Sequence, residues 1–226
     1  MKIFATSDIH GDFNAYKEIV HFVNNKVEDI DTIMFAGDIT GKHLTSNLEE
    51  LISLQEKDYT FFKVRVLSKI NKKIKVMYIL GNDDWIEEQD LDNRYILTHL
   101  DNDSNILGFE LIHITPFSTN REETEDVIYN KFNKLNIKEN ESIILSHTPP
   151  YKVLDKCIDG TRAGSKSIRE IILKKKPKLY ICGHIHEDFG SAMLGDTLIL
   201  NCACDYKNLR GWYIDTDTMK YREIYF

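Results

Sequence analysis

Five short groups of side chains able to hold metal ions follow one another down this chain. They are Asp8-Ile9-His10-Gly11, Gly37-Asp38, Gly81-Asn82-Asp83-Asp84, Ser146-His147-Thr148-Pro149-Pro150 and Gly183-His184-Ile185-His186. Carboxylate and amide oxygens are hard ligands and imidazole nitrogens are borderline. Their mixture suits Mn, Fe, Zn, Co or Ni better than Ca or Mg, which take oxygen alone. Asp, Asn and His delivered from several strand ends are what a two-metal hydrolytic centre requires. Any one group alone would say little. A histidine after a buried strand is more often a packed core side chain, and Asp8 or Asp38 could cap a helix or a turn. Five such groups, each behind an apolar and β-prone run, are hard to obtain by chance. Gly11, Gly37, Gly81 and Gly183 stand beside the ligands, where tight turns and close backbone approach are needed.

The elements that must position these groups can be read from periodicity. Residues 2–7 predict a short buried strand. Phe13, Tyr16, Ile19, Val20 and Val23 recur at helical spacing, giving a helix over 13–25. Residues 31–36 and 75–80 predict the next two strands. Ser46-x-x-Glu49 has the form of a capping box, opening a helix that carries Leu48, Leu51, Ile52 and Leu54. Residues 59–73 are readable either way: 61–66 are β-prone, but a crossover helix is due there. Residues 106–115 predict a hairpin or two short strands. A helix follows over 121–135, a strand over 142–145, a helix over 165–176 capped by Ser165 and ended by Pro177, and a strand over 179–182. TLILNC, GWYIDTD and KYREIYF predict closing antiparallel strands. Alternating strands and helices give a parallel core sheet, and the strand runs near 106–115 and 197–226 give a second, more antiparallel one. Ligand groups at the carboxyl ends of strands lie where open α/β sheets bind ligands.

Bulk properties narrow the function. The 226 residues suit one domain, 1–226, with no linker or internal repeat, and a net charge of −7 makes nucleic acid or an anionic membrane an improbable partner. No apolar run has the length of a membrane helix, and Met1-Lys2 leads straight into a strand without a signal peptide, so a cytoplasmic location is expected. Cys157, Cys182, Cys202 and Cys204 are expected as reduced thiols.

The five groups resemble the D-x-H, G-D, G-N-H-[DE], H and G-H-x-H blocks of the calcineurin-like metallophosphoesterases, over residues 3 to about 200. GDITGK at 37–42, SHTPPY at 146–151 and Gly164-Ser165 are most similar to the Icc-related phosphoesterases. The resemblance implies an α/β fold of two mixed β-sheets packed as a sandwich and flanked by helices, in four layers. It implies two divalent transition metals, manganese first among Mn, Fe, Zn, Ni and Co. One would be held by Asp8, His10, Asp38 and His186, and the other by Asp38, Asn82, His147 and His184, with Asp38 bridging. A shared hydroxide would attack phosphorus in line, with Asp38, Asn82 and Asp83 as the catalytic set. The family's third block carries a histidine, a candidate general acid, where this chain has Asp83. An unperturbed aspartate is ionised at neutral pH and has no proton to give. Metal binding is therefore expected to be intact and leaving-group chemistry altered. Asn201-Cys202-Ala203, where relatives often have N-P-G, is a second departure.

The expected activity is hydrolysis of a phosphate ester, a small phosphodiester first. A phosphomonoester or phosphoprotein is the alternative within enzymes, and a non-catalytic metal-binding scaffold the alternative outside them. His43, after GDITGK, and Arg162, in a basic stretch with Lys166 and Arg169, are the candidate substrate contacts. For Arg162 a plain solvated loop is an equal explanation, and for Arg169 the better one. Lys174-Lys175-Lys176 suit a helix C-terminus. Surface or packing roles are expected first for His21, His43, His99 and His113, His43 being the one that could also lie near the site.

Overall fold

The computed structural model describes residues 1–25, 29–86, 105–205 and 208–226, together with the backbone of residues 95–97. The first sheet is built on β1 (Lys2–Thr6), β2 (Thr32–Ala36), β3 (Lys75–Ile79) and β4 (Tyr95–Leu97), all parallel. Five strands follow: β5 (Ile106–Phe109), β6 (Ile112–His113), β7 (Glu122–Glu123), β8 (Ile143–Ser146) and β9 (Leu179–Cys182). The last four are β10 (Gly190–Leu194), β11 (Thr197–Asn201), β12 (Arg210–Asp215) and β13 (Lys220–Tyr225). Sheet order is β13-β12-β1-β2-β3-β4 in the first layer and β10-β11-β9-β8-β5 in the second, with β6 and β7 forming a small separate pair.

The strand residues alternate between two cores, as the two-residue period of a strand requires. Ile3, Ala5, Met34, Ala36, Met77 and Ile79 of the first sheet meet Ile143, Leu145, Leu179, Ile181, Leu198 and Leu200 of the second. The intervening residues face outward. Phe4, Ile33, Phe35, Val76 and Tyr78 pack on α1 (Phe13–Asn25) and α2 (Leu48–Phe61). Ile144, Tyr180 and Ile199 pack on α3 (Glu125–Asn133) and α4 (Lys166–Lys175). Helices, sheet, sheet, helices make four layers, the expected mixed α/β sandwich. Each fully buried aliphatic or aromatic side chain contributes roughly 1.5–3 kcal/mol, so three apolar interfaces make a firm base for the loops at one edge.

Several local expectations are corrected. The second sheet is mostly parallel: β5, β8, β9 and β11 run the same way and only β10 is reversed. The tail strands β12 and β13 instead extend the first sheet antiparallel. Alternation reveals a strand's faces but not its sheet. The 106–115 segment gives two short strands rather than a hairpin, since β5 pairs with β8 and β6 with β7. α2 is capped by Asn47, whose side chain accepts from the Glu49 and Glu50 amides, not by Ser46. The 59–73 segment is helical as far as Lys69: α2 runs on into a π-turn (Phe62–Val66) and a 3₁₀ turn (Leu67–Lys69), and a turn leads into β3. α3 starts four residues later than expected, capped by Thr124, because Glu122–Glu123 is drawn into strand pairing with β6. Ser165 caps α4 as expected, accepting from the Ile168 amide at 3.2 Å. At its other end Lys175 donates to the Leu135 carbonyl that closes the α3 region, while Lys176 reaches Glu139 and Asp196. All four cysteines are free thiols. No helix among the described residues is long and apolar enough to cross a membrane.

Candidate metal centre

The carboxyl ends of β1, β2, β3, β8 and β9 lie at one edge of the two sheets, and the five ligand groups sit in the loops just beyond them. Backbone bonds ladder these loops together. Asp8 N–H donates to Gly37 C=O, His10 N–H to Asp38 C=O, Gly11 N–H to Ile39 C=O and Gly183 N–H to His147 C=O, all at 2.9–3.1 Å. Asp8, His10, Asp38 and His184 all have positive φ, between 47° and 70°. A non-glycine residue in that region costs of order 1 kcal/mol or more and persists only where its surroundings over-determine it. Gly37 and Gly81 are required by close approach: a Cβ on Gly37 would come within 2.6 Å of His147 Nδ1, and one on Gly81 would strike the Asp38 carboxylate.

Ligand-type atoms converge on three overlapping groupings, Asp8 with His10 and His186, Asp8 with Asp38 and His147, and His10 with Asp38 and Asp83. Within each, the atoms lie no more than 4.8 Å apart. Asp38 Oδ2 stands between two of the imidazoles, 3.4 Å from His147 Nε2 and 3.7 Å from His10 Nε2. His186 Nε2 is 3.4 Å from Asp8 Oδ1.

Surrounding contacts fix what these atoms present. His147 Nδ1 donates to the Ala36 carbonyl at 2.7 Å, which turns Nε2 inward, where Asn82 Oδ1 is 3.0 Å away. Asn82 in turn donates its amide nitrogen to Thr119 Oγ1 at 3.0 Å, so its oxygen faces the cluster. Three acceptors, His147 Nε2, Asn82 Oδ1 and Asp38 Oδ2, thus converge, and only a proton or a cation reconciles them. Asp8 Oδ1 and both ring nitrogens of His10 are buried without a hydrogen-bond partner, an arrangement that is costly unless a cation satisfies it. The donor set fits divalent metal ions.

Charge responds accordingly. Burial would lower the His147 pKa, but the Asp38 carboxylate outweighs it, and with Asp8 and the Ala36 carbonyl pushes it up to about 10. Burial likewise opposes ionisation of Asp38, yet His147 and His10 hold its carboxyl well below the usual range. Burial, then the neighbouring His147, push His184 down to about 3, leaving a neutral imidazole able to ligate. Burial and the charge of Asp38 push the Asp84 carboxyl up. Asp84 accepts from the amides of Ile39, Thr40 and Gly81 and from Thr40 Oγ1, bonding the second ligand loop to the third.

Among the seven expected ligands, Asp8, His10, Asp38, His147 and His186 present donor atoms to the groupings above, and Asn82 Oδ1 adjoins them at His147 Nε2. His184 lies beside them, with its ring 5.0 Å from that of His147 and its amide on Asp8 Oδ2. Asp83 reaches the cluster through His10 and Asp38 and is paired with Lys42, 2.8 Å away. His43 is paired with Asp58 at 2.7 Å, and Arg162 with the buried Asp155 at 2.8 Å. Arg169 donates to the Tyr151 carbonyl, and the Lys166 ammonium lies over the Tyr151 ring. His21 lies at the surface beside Asn25; His113 is half-buried, its pKa lowered by burial; His99 lies outside the described residues. Asn201, in the departing N-C-A segment, donates to the carbonyls of Ile185 and Leu154 and so still pins the fifth loop.

Supporting residues were not legible in the sequence. Thr119 orients Asn82, Asn120 bonds Asn82 C=O through its amide and Asp84 C=O through its side chain, and Arg121 reaches the carbonyls of Gly81, Asp84 and Ile86. Arg210 grips the His186 carbonyl at 2.7 Å. These contacts join residues about 25–40 apart in sequence, and no local pattern marks them. A cavity of about 390 Å³ opens beside the cluster, lined by Asp8, His10 and His186 together with Asp12, Glu18, Lys42 and Asp205 among others.

Residues 1–188 match the calcineurin-like phosphoesterase family, and the chain belongs to it. Its geometry and family together define a metal-dependent phosphoester hydrolase with a divalent metal site. The chain is 31% identical over 215 residues to an uncharacterized protein, MJ1162, of Methanocaldococcus jannaschii, spanning 89% of this chain and 87% of that one. It is 26% identical to UPF0046 protein K07C11.7 of Caenorhabditis elegans, over 90% of this chain and 69% of that one. The solved structure of TT1561 of Thermus thermophilus shares the fold, with a TM-score of 0.61 at 16% identity over 99% of this chain and 98% of that one.

Proposed function

We propose that this protein is a phosphodiesterase acting on a small substrate with two divalent ions, manganese first. Asp8, His10, Asp38 and His186 would hold one ion, Asp38, Asn82, His147 and His184 the other, and Asp38 would bridge. Bound there, such a pair would activate water at neutral pH and neutralise the phosphate oxygens. The chain's own part is to orient the ligands through Ala36, Thr119 and Asp84 and to fix the substrate beside them.

The cavity carries the choice of a diester. Its 390 Å³ beside Asp8, His10 and His186 gives room for a second ester arm. Beyond the candidate ligands, its lining carries the carboxylates of Asp12, Glu18 and Asp205 against Lys42 as the single lysine or arginine among the described lining residues, which disfavours a dianionic monoester relative to a monoanionic diester. His43, about a third exposed beside the Gly41 turn, is an outer substrate contact on this reading. Arg162, tied to Asp155, is assigned to its own loop instead.

The test is metal analysis followed by a substrate screen. Protein purified without chelator and titrated with Mn should approach two equivalents. The loaded protein should hydrolyse aryl phosphodiesters faster than aryl phosphomonoesters, with cyclic nucleotides and phosphopeptides as the further arms. A monoester or phosphopeptide preference would overturn the diester assignment, and a plateau at zero metal would overturn the site.

A further inference from the structure

Lys42 has no part in the ligand set, yet its position is built. The Gly41 and Asp83 carbonyls both accept from the Gln55 side-chain nitrogen, at 3.0 and 2.7 Å, while Gln55 Oε1 accepts from the Trp85 amide. Gln55 is buried on α2. One glutamine therefore fixes the backbone just before Lys42 against the backbone of Asp83. Asp84 bonds the same two loops together one residue further on, through Ile39, Thr40 and Gly81. From these fixed points the two side chains meet, Lys42 Nζ 2.8 Å from Asp83 Oδ2. Asp83 itself is grouped with His10 and Asp38, so Lys42 stands one carboxylate away from the candidate metal ligands. It also lines the cavity that runs from Asp8, His10 and His186 toward Asp12 and Glu18.

This geometry bears on the departing oxygen. An ester arm lying in the cavity joins phosphorus through an oxygen at the inner end of that cavity. Negative charge growing there meets the Asp8 carboxylate in the cavity lining, with those of Asp38 and Asp83 grouped with His10 beside it. An ammonium that lines the same cavity and is held by Asp83, as that of Lys42 is, brings N–H donors and one positive charge to that charge.

Resting on the phosphodiesterase reading above, we propose that the Lys42 ammonium, positioned by Asp83 and Gln55, is the cationic group that meets the leaving oxygen of the ester. As the bond from water oxygen to phosphorus forms, the bond from phosphorus to the arm breaks. Its electron pair goes to the arm oxygen, which accepts a hydrogen bond from Nζ, and the proton that completes the alcohol is drawn from water. Asp83 is the positioning residue and Lys42 the catalytic one. Electrostatic help of this kind, aimed at charge that develops only in the transition state, is typically worth ~10²- to 10³-fold.

The experiment compares Mn-loaded wild type, Lys42→Gln, Lys42→Arg, Asp83→Asn and His43→Ala on aryl phosphodiesters of graded leaving-group pKa. Calorimetry of Mn loading and of inorganic phosphate binding runs beside it. Lys42→Gln should lose ~10²-fold or more on the poorest leaving groups and under about tenfold on the best, giving a steeper dependence of rate on leaving-group pKa. It should load Mn as wild type does and bind inorganic phosphate more weakly. Lys42→Arg should keep the shallower dependence, and Asp83→Asn should show a smaller version of the same steepening. An equal loss across all leaving groups would overturn the proposal, leaving Lys42 only a prop for Asp83. So would steepening in His43→Ala alone, or loss in Asp83→Asn with Lys42→Gln unchanged. If wild type turns over monoesters only, the diester reading fails while Lys42 is still judged on graded aryl monoesters. If wild type turns over nothing, phosphate binding decides: equal affinity in wild type and Lys42→Gln would refute the Lys42 assignment.

Discussion

Replacing Arg121 with methionine tests whether the third ligand loop is held from outside itself. The guanidinium donates Nε–H to Glu110 Oε2 at 3.1 Å and reaches the carbonyls of Gly81 at 3.2 Å, Ile86 at 3.1 Å and Asp84. Both charged side chains are largely buried, 13% exposed for Arg121 and 17% for Glu110. Glu110 also accepts the Leu80 amide, directly before the loop. Methionine keeps much of the aliphatic stem and removes every donor. Hydrogen bonds to a charged group contribute about 1.5–3 kcal/mol each, but they do not add, and a carboxylate stripped of its partner has its own cost. We expect Arg121→Met to lower stability by about 3 kcal/mol, within the 5–15 kcal/mol a domain holds, so that the protein still folds. Urea unfolding followed by circular dichroism should show an earlier midpoint at unchanged slope. Because the freed loop carries Asn82, Mn affinity should fall by about 10- to 100-fold at the one of the two proposed sites that includes Asn82, as for other residues that orient ligands. Adding Glu110→Gln should recover part of the stability by removing the stranded charge. An unfolding midpoint within about 0.5 kcal/mol of wild type, with Mn binding untouched, would refute the idea that this arginine holds the loop.

Two further outcomes follow from the same contacts. Asp38→Asn and His147→Ala should each abolish hydrolysis while near-native circular dichroism persists, because both perturb the shared corner of the site rather than the sheets. Undiminished turnover by either folded variant would remove it from the assignment. Glu122→Gln should destabilise by about 1 kcal/mol at pH 7. Burial opposes the Glu122 charge, but donors from Thr115 and Thr119 outweigh it and hold the carboxyl at about 2, below its ordinary value of 4.5. That contribution is complete above the unfolded value and is lost as pH falls through about 2. The gap between the two proteins in urea midpoint should therefore be widest near neutrality and narrow below pH 4.5; a gap that widens on acidification would contradict the sign.

The chemistry of this protein was more legible than its carpentry. Asp8, His10, Asp38, His147 and His186 are visible because each follows a strand-like run and carries an uncommon side chain next to glycine or a turn. The apolar, β-prone runs at 31–36, 75–80, 142–145 and 179–182 were also visible, so the strands behind the ligand groups could be anticipated. Which sheet a strand joins was not, because that depends on crossovers, and β12 resembles a strand of either sheet. Asn47 replaced Ser46 as a cap for the same reason: both side chains are competent, and the choice is made by where the preceding loop must turn. Arg121, Gln55 and Arg210 were invisible. Their function is to donate to carbonyls, and a backbone carbonyl leaves no mark in a sequence.

Those unmarked donors explain how the marked residues can exist as they do. Four of the candidate ligands sit in left-handed backbone that their side chains disfavour. Asp8, Asp38 and Asp84 are all buried, Asp8 grouped with Asp38 and Asp84 close enough to feel the Asp38 charge. Left to local preference the loops would relax to ordinary turns, and the carboxylates would move apart into water. What prevents it is that each loop end is tied to another loop rather than to itself: Gly37 to Asp8, Asp84 to Thr40, Arg121 to Gly81, Asn201 to Ile185. Relaxing one loop would strand donors or acceptors on its neighbour, so the strain is shared across all of them. A site held in this way has its acceptors converged by ties between loops that are themselves not candidate ligand contacts, and that arrangement suits a divalent ion.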